Sequence, residues 1–227
     1  MNWYIILGVS IAIILIYILY NYFQNYTTIA SNLVNLNQAV PSVLVTDNPH
    51  SYQYAIGAWV YVNSWNNINY KPLITIPNQF SLYLDQTSPT LFFELAQDCG
   101  ANPQVQPTPP IAVTNDFPLQ RWTYVTIVVD NYFVDMYLDG KLLQSVKLNC
   151  MQSIPTATNA TTYLGGNPAI SNDVLMTKVY RWSYTLAPRD VWKNYIAGNG
   201  VSTSFSSYGL AIDVLKNNTV QNSFRLF

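Results

Sequence analysis

No charged side chain occurs before Asp47, and within that silent stretch residues 3–23, WYIILGVSIAIILIYILYNYF, are apolar with little but Ser10 to interrupt them. As a helix this run rises roughly 31 Å, the hydrocarbon thickness of a bilayer. Trp3 and Tyr4 at one end, and Tyr20 and Tyr22 at the other, fall where aromatic side chains settle at membrane interfaces. A secretory signal would carry a basic n-region and a shorter apolar core, and a helix buried in a globular domain would show a polar stripe. The sequence therefore predicts a single-pass anchor over residues 1–24 with the lipid bilayer as its partner. With two residues ahead of the run, nearly all of the chain is expected on one side of the membrane. No Lys or Arg flanks the run, so the positive-inside rule assigns no orientation.

Residues 25–42 are polar, with apolar side chains at Ile29, Leu33 and Leu36. They read as a juxtamembrane stalk or linker, or as a continuation of the helix. From residue 43 to 227 the pattern changes to short β-rich runs separated by turn residues. YAIGAWVYV (54–62), LITI (73–76), FSLYL (80–84) and TLFFEL (90–95) combine β-branched and aromatic residues at strand length. The prolines of GANPQVQPTPP (100–110) forbid a central strand there. In RWTYVTIVVD (121–130), Val125, Ile127 and Val129 share one face and Tyr124, Thr126 and Val128 the other. Asp139-Gly140 is a type I′ hairpin pair, which places three adjacent antiparallel strands in a row. In that register Val134, Met136 and Leu138 face the same way as Leu142, Val146 and Leu148, leaving Asp135 on the solvent side. APRDVWKNYIAGNG (187–200) predicts a helix with Pro188 in its first turn, an apolar stripe of Val191, Trp192, Tyr195 and Ile196, and Gly198 as its cap. A last strand pair, 208–216 and 219–227, turns at Asn217-Asn218. The fold class is all-β, a sandwich or jelly roll with one short helix.

The order YAIGAWVYV, RWTYVTIVVD, MYLDGKLL, TYLGG, VYRWSYTLAPRDVWKNY resembles the laminin-G-like branch of the concanavalin A-like lectin/glucanase superfamily. The resemblance covers roughly residues 50–198 and lies in the ordered combination, since each piece alone is common. It implies a concanavalin A-like β-sandwich. The chain departs from it at DVLMTKV (173–179), where members often carry Gly-x-Ile-Asp-Glu. An N-terminal anchor ahead of such a domain also resembles membrane proteins of large icosahedral DNA viruses, which implies a capsid-associated internal membrane of the virion.

Charged residues make up 9% of the chain and the formal net charge is −1, with Lys and Arg scattered, so nucleic acid is not an expected partner. Glycoside hydrolysis needs two carboxylates about 5 to 9 Å apart, and enzymes of this fold place them as Glu-x-Asp-x-x-Glu. Here Glu94 is the single glutamate, and Asp98, at i+4, is too far along a strand to serve. The single histidine, His50, lies in a turn, and no nucleophile, zinc or phosphate-loop pattern accompanies it. No catalytic site and no cofactor are expected. Weak calcium candidates are Asp98, Asp116, Asn172 and Asp173, which also suit turns and caps. Trp65 and Tyr70 in NSWNNINY (63–70) are the candidate carbohydrate platform, and Cys99 and Cys150 are either a disulfide or two thiols. The leading expectation is a structural protein whose neutral, Tyr-rich surface packs on a capsid lattice over a membrane. The alternative is a membrane-tethered lectin that binds glycans.

Overall fold

Outward and inward positions alternate along the strands, and the computed structural model sorts them onto two packed sheets. It describes residues 3–22, 26–66, 68–101, 104–155, 160–200, 211–216 and 219–225, with backbone alone at 4–7, 18–22, 211–216 and 219–225. In chain order the elements are α1 (Trp3–Tyr22), β1 (Tyr26–Ala30), β2 (Val34–Asn35), β3 (Val43–Val45), β4 (Gln53–Val62), β5 (Lys71–Ile76) and β6 (Phe80–Leu84). There follow β7 (Leu91–Leu95), β8 (Gln97–Asp98), β9 (Ile111–Thr114), β10 (Thr123–Asp130), β11 (Phe133–Leu138), β12 (Lys141–Lys147) and β13 (Met151–Gln152). The last are β14 (Ala160–Leu164), β15 (Val174–Trp182), α2 (Pro188–Ile196), β16 (Ala211–Lys216) and β17 (Thr219–Arg225).

Among the described residues, a 7-stranded sheet runs β1-β15-β4-β10-β11-β12 with β2 also on β15, and a 6-stranded sheet runs β3-β14-β5-β6-β7-β9. Ile56, Ala58 and Val60 of β4 and Val125, Ile127 and Val129 of β10 meet Leu73, Ile74, Leu82 and Phe93 of the other sheet in one core. Each fully buried aliphatic side chain contributes about 1.5–3 kcal/mol of transfer free energy. The outer face of the 7-stranded sheet carries a second, smaller cluster of Ala55, Val128, Tyr137, Trp182, Leu186 and Val191, roofed by α2.

Several expectations are corrected here. Within 25–42, residues 26–30 are not stalk: β1 pairs antiparallel with β15, and Ile29 and Leu36 are buried in the core. The hairpin at Asp139-Gly140 forms as expected, with positive φ at both residues (49° and 75°). A bulge between Met136 and Tyr137 then shifts its register. Leu142 therefore pairs with Tyr137 and is 53% exposed, while Gln144 takes the inward place opposite Met136 and donates to the Ala112 carbonyl at 2.7 Å. Helix α2 starts at Pro188 and Gly198 follows it at φ +71°, but of its expected apolar stripe Trp192 and Ile196 are 44% and 62% exposed. Among the described residues strands β16 and β17 pair only with each other, and Asn217 and Asn218 lie outside those residues. Cys99 and Cys150 are joined as a disulfide beside the short β8–β13 ladder.

Helix α1 covers the expected apolar run, and its residues 8–17 are exposed all round. Trp3 is 61% exposed, whereas the side chains of Tyr4, Tyr20 and Tyr22 lie outside the described residues. Among the described residues no helix is long and apolar enough to cross a membrane.

Candidate functional site

The β4–β5 loop, residues 63–70, is pinned at three points by side chains. At its start, Asn63 Nδ2 donates to Asp173 Oδ2 at 2.8 Å, joined by the Ser64 hydroxyl. In its middle, the ammonium of Lys71 donates to the carbonyls of Asn66 (2.6 Å) and Asn69 (3.2 Å) and lies 4.1 Å from the centroid of the Trp65 ring. Burial pushes the Lys71 ammonium below its ordinary pKa, and nearby Asp85 opposes that shift. Carbonyl dipoles and an indole face stand in for the water this cation has lost. Near its end, Gln86 Nε2 donates to the Ile68 carbonyl (2.9 Å), while the Trp65 indole N–H reaches the Gln86 carbonyl (3.3 Å).

This geometry separates the two expected platform residues. Trp65 is half-buried against the core with one face given to Lys71, whereas Tyr70 is 49% exposed. Tyr70 meets Tyr83 edge-on at 5.7 Å, and Tyr83 stacks on Phe92 at 5.6 Å. The register Tyr83↔Phe92 sets two of these rings side by side on β6 and β7, and Tyr70, just before β5, extends the row. Two residues along β6 and β7, and three past Pro72 on β5 because of a bulge between Pro72 and Ile74, runs a parallel polar row, Tyr163↔Thr75↔Ser81↔Glu94, in which the Thr75 and Ser81 hydroxyls are bonded at 3.1 Å. Tyr83 and Phe92 were missed in the sequence. The signal was there, because FSLYL and LFFEL put an aromatic ring at positions whose alternation faces solvent.

Beside the polar row an open cleft of about 240 Å³ is lined by Thr75, Asn78, Gln79, Ser81 and Glu94. The Gln79 amide is fully buried there with neither atom hydrogen-bonded. Past the other end of β6, the Ser88 hydroxyl, with Thr87 and backbone donors, holds the Asp85 carboxyl down to about 2 against burial. Burial pushes the Tyr83 hydroxyl up, with Glu94, Asp85 and Tyr70 adding to the effect.

The calcium candidates are dispersed. Among the described residues no three His, Cys, Asp or Glu side chains form a metal-binding group. Asp98 faces Met151 across β8–β13 and accepts the Gly100 N–H. The Asp116 N–H caps onto Thr114, and buried Asn172 bonds the Ile170 carbonyl. Asp173 is occupied by Asn63 and Ser64, and His50 Nδ1 lies 2.6 Å from the Pro155 carbonyl.

Residues 36–191, more than half of the chain and spanning both sheets, match the laminin-G-like family model described as the concanavalin A-like lectin/glucanase superfamily. The chain belongs to that superfamily. No curated protein matches it. Among solved structures, this concanavalin A-like chain is similar to the binding domain of Paraclostridial Mosquitocidal Protein 1, at 13% identity and a TM-score of 0.54, over 77% of this chain and 46% of that one. It is likewise similar to the receptor binding domain of botulinum neurotoxin type G, at 14% identity and a TM-score of 0.51, over 76% of this chain and 46% of that one. The concanavalin A-like chain thus spans about half the length of these structures, and at such identities the likeness is one of fold.

Proposed function

We propose that this protein is a glycan-binding module with no catalytic role, tethered to a bilayer by α1. The observation that carries the reading is the row Tyr70, Tyr83, Phe92 lying parallel to the polar row Thr75, Ser81, Glu94 on one open sheet face. Aromatic rings offer stacking surface to the apolar face of a sugar, and the hydroxyls and carboxylate offer hydrogen bonds to its edge. The fold shared with two toxin domains described as binding domains agrees with this reading. Against hydrolysis, Glu94 is the one acid lining the cleft, and general-acid chemistry on a glycoside needs a second carboxylate nearby.

The tether rests on the composition of α1, whose 20 residues would rise about 30 Å. Apolar side chains exposed on every side of a helix need a non-aqueous surround. A capsid lattice, the partner expected first from the sequence, draws no support from the family or from the similar structures. The neutral surface that suggested it serves glycan binding equally.

The deciding experiment applies the full chain, held in lipid nanodiscs, to a glycan array. Binding to a defined set of glycans, weakened about tenfold or more in exposed-ring variant Tyr70→Ala with an unchanged melting temperature, is the expected result. Silence of the unaltered chain across the array overturns the reading. For the tether, the full chain is expected to float with lipid vesicles on a density gradient and a chain lacking residues 1–22 to stay at the bottom.

A further inference from the structure

The opposite face of the sandwich holds a second cavity. Between the 7-stranded sheet and α2 lies a space of about 200 Å³ lined by Trp59, Tyr124, Lys178, Tyr180, Asn194 and Ala197. Trp59 is 7% exposed, and its indole N–H is buried without a hydrogen-bond partner. The ring is held in place by stacking on Tyr195 at 5.6 Å and by Tyr124 at 5.2 Å. An unmatched buried donor costs about 1–3 kcal/mol, so a site that retains one is incomplete until an acceptor arrives.

Lys178 reaches this cavity through a local distortion. The β15–β4 ladder bulges between Thr177 and Tyr180, and Lys178, inside the bulge, has φ +47°. A non-glycine side chain in that region is uncommon, and bulges of this kind re-aim side chains. The Lys178 ammonium donates to the Gly198 carbonyl at 2.8 Å, and a Cβ on Gly200 would meet Lys178 Cε at 2.6 Å, so the chain beyond α2 is shaped to the lysine stem. Of the polar groups around the space, the Lys178 ammonium and the Trp59 indole N–H are donor-only, and no carboxylate lines it. Burial pushes the Tyr124 hydroxyl up to about 12 and raises that of Tyr180, so both stay protonated near neutral pH.

We infer that this cavity binds a small organic carboxylate, its oxygens meeting the Trp59 indole N–H and the Lys178 ammonium and its ring lying among Trp59, Tyr124 and Tyr180. The volume is below that of sites for drug-sized ligands, so the occupant is a single small ring and not an oligomer. The site is separate from the glycan face proposed above and does not depend on it.

The test uses the full chain in nanodiscs, with saturation-transfer NMR and calorimetry against benzoate and D-glucuronate, and with benzyl alcohol and D-glucose as neutral counterparts. Saturable binding of at least one acid, absent for its neutral counterpart and weakened about tenfold or more by Lys178→Met and by Trp59→Phe, is expected. Equal binding of the neutral counterpart, unchanged acid affinity in Lys178→Met, or no saturable binding of either acid at millimolar concentration overturns the inference. Should Trp59→Phe not fold, Lys178→Met alone decides. Tyr70→Ala leaves acid binding unchanged, so failure of the glycan reading and failure of this one are told apart.

Discussion

The two sheets present their outward residues in opposite ways. On the 7-stranded sheet the outward rings of Trp59, Tyr124 and Trp182 lie under α2 or its flanks, each under a tenth exposed. On the 6-stranded sheet the outward rings of Tyr83 and Phe92 remain half-buried beside an exposed Tyr70. Strand alternation places aromatic residues outward on both, and the helix after β15 is what separates a roofed cavity from an open platform. Outward aromatics on a sheet are thus fit for two uses, packing under a roof or meeting a ligand, and only the tertiary cover tells which.

The largest expected contrast is steric. A Cβ on Gly57 would lie 2.7 Å from the Tyr124 hydroxyl and 3.0 Å from the Trp182 ring. Gly57→Val, under the roof, should therefore cost about 2–3 kcal/mol in urea unfolding. Ala112→Val on the open sheet should stay within about 0.5 kcal/mol, and equal costs would erase the distinction between covered and open faces.

Next comes alkaline pH. Tyr124 has its hydroxyl pKa raised from 10.0 to about 12 by burial. Above pH 10 the unfolded chain releases this proton while the folded chain keeps it, so stability is intact below pH 10 and falls as pH rises toward 12. At pH 11 the loss from this one group is about 1.4 kcal/mol. Tyr124→Phe should flatten that part of the profile measured by urea midpoints between pH 8 and 11. A profile unchanged in Tyr124→Phe would place Tyr124 in water.

The smallest expected effect is that of a chelator. With the Asp98 and Asp173 carboxylates engaged by different neighbours, EDTA should leave both the melting temperature and array binding within error. A fall of several degrees on chelation would restore calcium to the rim.

Much of this was legible locally. The alternation in β10 put Val125, Ile127 and Val129 on one face, the face the core buries, and Asp139-Gly140 fixed the hairpin. Beyond turn geometry, Asp139 Oδ1 accepts the Tyr124 N–H at 2.9 Å and its other oxygen pairs with Arg121, so its role is to lash the hairpin to β10. What escaped was set by partners distant in sequence. The bulge that turns Leu142 outward answers to packing across the sheet, and so does the one that re-aims Lys178. Strand β1 forms because β15, some 150 residues further on, leaves an edge for it. Of the candidate site, Tyr70 was visible as a loop aromatic, but its union with Tyr83 and Phe92 required the register of three strands.

Strand β1 has one more implication. It begins at Tyr26, four peptide steps from the end of α1 at Tyr22, a reach of at most about 15 Å. With α1 in a bilayer, so short a leash keeps the sandwich skimming the lipid headgroups. On the proposed glycan-binding reading, sugars borne on the same membrane would then be favoured over those on a facing one.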